Sequence, residues 1–294
     1  MLPGAQLWVH EPDVPGESTL STAAIAAPIL AEGEDSSGFH APGIEEFFPA
    51  ALFGSTDLGS FWGFDRIMLV RFIVVAILLL LLWLATRKSS LVPSRGQSIV
   101  ELGVQFVRVQ IGEQILGKER ARPYLGMLTV IFFTVLAMNL AGVVPFLNIA
   151  GTSRVGLPLV LALWVFFVYL AAGVRKHGIG KYLKSQLFPP GIPWPAYILI
   201  TPIEALQVFV LRPATLTIRL LANMMAGHLM LVLCFAATNF LLLEGGGLIK
   251  ITGLLAFAGG IFITLFEVFV ALLQAYIFTL LSAIYVNFAL EEEH

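Results

Sequence analysis

Two apolar tracts, residues 193–243 and 247–290, fill the C-terminal third of the chain and constrain it more than any other feature. As continuous helices they would measure about 75 and 66 Å against a hydrocarbon core of roughly 30 Å. In lipid every backbone N–H and C=O must be satisfied internally, which leaves helices or closed barrels. Each tract therefore either breaks into pieces or lies inclined beyond the usual tilt of roughly 0–40°. Gly245, Gly246 and Gly247 supply a turn between them, giving a helical hairpin. Composition removes the soluble alternatives: 58% of the 294 residues are hydrophobic and 12% charged, where a soluble domain carries about 25% charged residues. Soluble enzyme, disulfide scaffold and disordered tail are excluded for the whole chain. A net charge of −2 offers nucleic acid no basic surface. Cys234, the single cysteine, cannot form an internal disulfide and reads as a small buried hydrophobe.

Charge sorts along the chain. Ten acidic residues and no Lys or Arg precede Arg66, whereas basic residues cluster at Arg87, Lys88 and Arg95, at Lys118, Arg120 and Arg122, and at Arg175, Lys176, Lys181 and Lys184. The positive-inside tendency places these clusters, and the C-terminus, in the cytoplasm and the N-terminus outside. Residues 1–65 read as an external N-terminal arm without the basic start of a signal peptide. Residues 66–294 read as a single all-α membrane domain with about five embedded helices. Expected spans are 67–86, 124–143 and 156–174, followed by long helices over 193–243 and 247–290. Over 93–117, Ile99, Leu102, Phe106, Val109 and Leu116 recur at helical spacing, as in a helix lying on the cytoplasmic interface.

Polar residues at lipid depth need a reason. Arg219 stays charged, and mid-membrane it costs about 2.5–3.5 kcal/mol on insertion scales. Snorkelling from a helix end is the bland reading, but long uncharged flanks on its C-terminal side favour a partner. Thr215, Arg219, Ala222, Asn223 and Ala226 share one face, and its small residues allow another helix to approach. His228 lies about 180° away with Thr217 and Asn239 near its direction. That stripe suits either packing or a hydrated, proton-handling cleft. Glu267, Ala271, Gln274 and Tyr285 share a face of the second tract. A buried carboxylate must be protonated or paired, and an antiparallel hairpin could bring Glu267 to His228, whose imidazole titrates near neutrality. Glu204 suits a cytoplasmic cleft or the headgroup level, Asn139 a cleft or a packing amide. Arg212-Pro213 reads as a local helix break. No cofactor or metal site is expected.

The run Arg212-Pro213-Ala214-Thr215-Leu216-Thr217-Ile218-Arg219-Leu220-Leu221-Ala222-Asn223-Met224-Met225-Ala226-Gly227-His228 closely resembles the signature of subunit a of F-type ATP synthases. Leu273-Gln274-Ala275-Tyr276-Ile277-Phe278 resembles the second motif of that family, and the likeness covers most of residues 60–294, including Met138-Asn139-Leu140. The resemblance implies that Arg219 is the arginine facing a ring of c subunits, Asn223 its adjacent amide and Gln274 the neighbouring glutamine of the last helix. It implies that His228 and Glu267 carry, exchanged, a Glu and His pair, with Glu204 one residue out of register with an acid common in the family. Gly142 stands where some relatives have Asp.

The implied mechanism has two offset half-channels delivering protons to and from ring carboxylates, with Arg219 as the fixed charge that blocks leakage and drives deprotonation. Glu204, Asn239, Thr217, Tyr285 and Asn139 are further half-channel candidates. Partners would be the c ring, b-type peripheral stalk subunits and the lipid of a bacterial plasma membrane, with no catalysis by the chain itself. An ion-coupled secondary transporter is the alternative, but such folds show internal repeats, and the Arg219 region has no convincing second copy.

Overall fold

A computed structural model describes residues 51–53, 64–86, 95–144, 151–188, 197–243 and 249–291. The expected Gly245–Gly247 turn and most of the N-terminal arm lie outside them. A minimal antiparallel ladder, β1 (Ala51–Phe53) against β2 (Phe64–Asp65), leads into helices only. These are α1 (Arg66–Thr86), α2 (Arg95–Phe106), α3 (Gln114–Leu116), α4 (Lys118–Ala121), α5 (Leu125–Val143), α6 (Gly156–His177), α7 (Ile179–Leu187), α8 (Tyr197–Leu206), α9 (Arg212–Leu243) and α10 (Ile249–Leu290). Two π-helical segments, Val107–Glu113 and Gln207–Leu211, join α2 to α3 and α8 to α9. Five stretches are long and apolar enough to cross a membrane: Ile67–Leu84, Leu125–Val143, Gly156–His177, Tyr197–Leu243 and Lys250–Leu290.

The core lies where α5, α6, α9 and α10 meet. Leu128, Ile131 and Val135 from α5 join Val165 and Tyr169 from α6, Leu216 and Leu220 from α9, and Phe278 and Val286 from α10. Between apolar helices in lipid, close packing replaces the hydrophobic drive, so small side chains belong at the contact. On α10 these are Ala271, Ala275, Ala283 and Ala289, all buried. Buried hydroxyls are satisfied on their own helices: Thr279 donates to Ala275 O and Ser282 to Phe278 O, each at 2.8 Å. Helix α1 sits at the side, packing Val70 and Val74 on Met138 and Ala141 while Leu79, Leu80 and Leu81 face outward to lipid.

Along 95–116 the apolar stripe read from sequence divides. Ile99, Leu102, Phe106 and Val109 are exposed, and the core receives Val107, Ile111 and Leu116 instead. The π segment accounts for Leu116 alone: its wider turn brings that residue in beside Ile111, whereas Ile99, Leu102 and Phe106 precede it and lie on the outer face of an ordinary α-helix. Gly178, at φ +79°, ends α6 and starts α7, and folds Tyr182 back so that its ring occupies the space a Cβ on Gly173 would need. Burial raises the Tyr182 phenol above its ordinary pKa, with the Arg212 charge opposing. The basic last turn of α6 complements the helix dipole, and Lys176 Nζ donates to Leu290 O at 2.6 Å, fastening α6 to the end of α10.

Candidate functional site

Helix α9 carries most of the site, and its sides differ sharply. Leu216, Thr217, Leu220, Met224, His228 and Leu231 recur every three or four residues and point into the bundle. Thr215, Arg219, Ala222 and Ala226 follow the same period on the outer side and are exposed. Among the described residues no hydrogen bond or ion pair engages the Arg219 guanidinium. A fixed cation thus stands on the outer surface of an apolar, membrane-length segment, flanked by small side chains. Lipid is a costly neighbour for such a group. The charge calls for a counter-charge or water from beyond the described residues. Asn223, one turn on, is half-buried.

The inner side carries His228, 5% exposed, and α9 and α10 pack along much of their length. Glu267 of α10 is 4% exposed, and neither of its oxygens has a hydrogen-bond donor among the described residues. Gly227 allows this approach: a Cβ there would stand 2.8 Å from Glu267 Oε1. The α10 carboxyl therefore rests on the turn of α9 that carries His228. Two turns further along α10, Gln274 is also buried, its Nε2 without a partner among the described residues. An acid and an amide with unused valences inside a bundle mark a place for water or a transferred proton.

The remaining candidates spread over four helices. Thr217 is buried beside the His228 stripe, but its hydroxyl donates to Pro213 O at 2.8 Å, leaving only its acceptor lone pairs for a channel. Asn239 is exposed, so it does not share the buried position of Thr217 and His228. Asn139 is fully buried in α5; its Oδ1 accepts from Thr152 at 2.8 Å and its Nδ2 has no partner among the described residues. Glu204 lies half-buried on α8, and Tyr285 half-buried on α10 with its ring 5.6 Å from the Arg212 guanidinium. Among the described residues no group of three or more His, Cys, Asp or Glu could hold a metal ion.

Comparison with known proteins adds an independent line. The profile of the family described as ATP synthase A chain matches residues 68–287. The chain belongs to this family. ATP synthase subunit a of Rhodococcus erythropolis is 43% identical over 279 residues, covering 95% of this chain and 97% of that one. The same subunit of Pseudarthrobacter chlorophenolicus is 36% identical over 261 residues, covering 88% and 96%. That of Hyphomonas neptunium is 40% identical over 211 residues, covering 71% and 80%.

Two features of the chain have no signature in its sequence. Arg71 of α1 donates through Nε to Gly151 O at 2.7 Å and through a second nitrogen to Arg154 O at 3.4 Å, pinning the buried loop Gly151-Thr152-Ser153. Its loop partners follow α5, eighty residues later, and leave no periodic trace in the sequence. The second is Tyr169, whose hydroxyl donates to Val208 O at 2.9 Å. It sits in an unbroken apolar run where nothing distinguishes it from core, although Pro213 downstream signals a missing backbone donor.

Proposed function

We propose that this chain is the proton-translocating stator subunit of an F-type ATP synthase, with Arg219 facing a ring of c subunits. The exposed guanidinium on the outer side of α9 carries the reading, because a ring carboxylate supplies a counter-charge that the described residues do not. Ala222 and Ala226 leave room for a ring helix to come close. His228 and Glu267, buried on the inner side, line an external half-channel that hands protons to the ring, with Asn139 and Asn239 towards its entrance. Gln274 and Asn223 flank the arginine. Glu204, Thr217 and Tyr285 line the exit towards the cytoplasm.

Electrostatics supplies the cycle. A ring carboxylate protonated from the external side is neutral and can turn through lipid. On meeting Arg219 it is favoured as the anion and releases its proton to the cytoplasmic half-channel. The same charge repels a proton moving directly between channels. Each proton crossing about 100 mV contributes roughly 2.3 kcal/mol to rotation. The chain itself performs no catalysis. It sits in a bacterial plasma membrane with its N-terminus outside and C-terminus inside, consistent with the basic ends of α4 and α6, and b-type stalk subunits hold it still.

Inverted membrane vesicles carrying Arg219→Ala test this. ATP-driven acidification is expected to fall to background while the subunit stays in the membrane; undiminished pumping defeats the proposal.

A further inference from the structure

The step from α8 to α9 contains a backbone acceptor with no backbone donor of its own. In the π-helical segment Gln207–Leu211 hydrogen bonds run from residue i to i−5, and Arg212 N–H bonds Gln207 O in that register. The next acceptor in the series is Val208 O and the next donor would be residue 213. That residue is Pro213, which has no N–H. Val208 is 1% exposed, so its carbonyl would be stranded in the bundle. The hydroxyl of Tyr169, itself 1% exposed on α6, donates to it at 2.9 Å.

The same tyrosine engages the adjacent residue. The Arg212 guanidinium carbon lies 5.9 Å from the Tyr169 ring centre and 5.6 Å from that of Tyr285, and the two rings are 6.0 Å apart. Both contacts are within cation–π range. A π turn takes up one residue more than an α turn, so everything beyond it is rotated by about 100° relative to an uninterrupted helix. Arg219 lies two turns past Arg212, and its bearing depends on whether the step holds.

We infer that Tyr169 is a positioning residue: its hydroxyl supplies the donor that Pro213 lacks, holds the π turn in place, and so aims Arg219 outward. This rests on the proposed function only in what Arg219 is aimed at; the phase of α9 is a property of this chain alone.

A rescue experiment in the assembled enzyme separates this from packing or proton relay. Tyr169→Phe keeps the ring and removes the donor. Pro213→Ala restores a backbone N–H next to the stranded carbonyl. Phase is read within the chain: a Cβ on Gly260 would stand 3.6 Å from Cys234 Cβ, inside the disulfide range of about 3.5–4.5 Å. Gly260→Cys is therefore oxidised with copper phenanthroline in membranes. Tyr169→Phe is expected to lower both ATP-driven pumping and the Cys234 disulfide yield by about threefold or more, the effect of stranding one buried carbonyl at an interface. The double variant Tyr169→Phe/Pro213→Ala is expected to return both to within about twofold of Pro213→Ala. Lost pumping with unchanged disulfide yield overturns the inference, as does full pumping by Tyr169→Phe or a double variant no better than Tyr169→Phe. If Tyr169→Phe removes the subunit from membranes, its return in the double variant on immunoblot supports the inference, and continued absence beside a present Pro213→Ala overturns it. Should Arg219→Ala still pump, the proposed function fails while the disulfide yields still decide the role of Tyr169.

Discussion

Glu267 and Gly227 set the finest scale at which function can be perturbed. The carboxyl oxygen rests 2.8 Å from where a Cβ at residue 227 would be, so Gly227→Ala must push it aside. Overpacking of this kind costs about 1–3 kcal/mol. Proton pumping by Gly227→Ala is expected to fall well below the fraction of subunit remaining in the membrane, measured side by side. The relay makes a second demand: exchanging the pair, His228→Glu with Glu267→His, should retain more pumping than His228→Ala or Glu267→Ala. An exchange no better than the worse single change dissolves the pairing. Arg219 was legible in the sequence because a permanent charge at lipid depth has no ordinary packing role. Thr217 was harder to read, since a hydroxyl bonded to its own helix looks in sequence like one lining a channel. Asn239 shares the helical direction of His228, yet exposure also depends on which neighbour covers that level of the helix, and periodicity carries no such information.

At the scale of helices, apolar length alone gave five membrane-length segments because the backbone in lipid has few alternatives to helix. The two π segments left no such mark. At the first of them the effect is a phase shift of one residue, visible only when Leu116 is seen inside while Val109, seven residues before it, faces out. Arg212-Pro213 read as a break; the α register is interrupted just before it by a π segment and resumes at Arg212 as α9, with Tyr169 from another helix donating to the carbonyl left by proline. The fold-back of α7 on α6 is tested by Gly173→Ala, whose Cβ would clash with the Tyr182 ring. A loss of about 1–3 kcal/mol should appear as a lower temperature of subunit loss from the solubilised enzyme; an unchanged midpoint means that α7 can move away freely.

For the whole molecule, the proposed function divides the labour between the two sides of α9: protons would be handled inside the bundle, and a fixed charge would meet a moving partner outside it. That division was partly visible as two polar stripes on one helix, but the identity of the outside required the packed bundle, which shows Leu216, Leu220 and Met224 buried and Thr215, Arg219, Ala222 and Ala226 exposed. The most direct test is a cysteine scan along α9 in the assembled enzyme, with Cys234 replaced and a cysteine placed on the outer ring helix near its carboxylate. Disulfides to the ring are expected from Thr215→Cys, Ala222→Cys and Ala226→Cys and not from Leu216→Cys, Leu220→Cys or Met224→Cys. Cross-links confined to the second set, or to neither, would contradict a ring-facing Arg219.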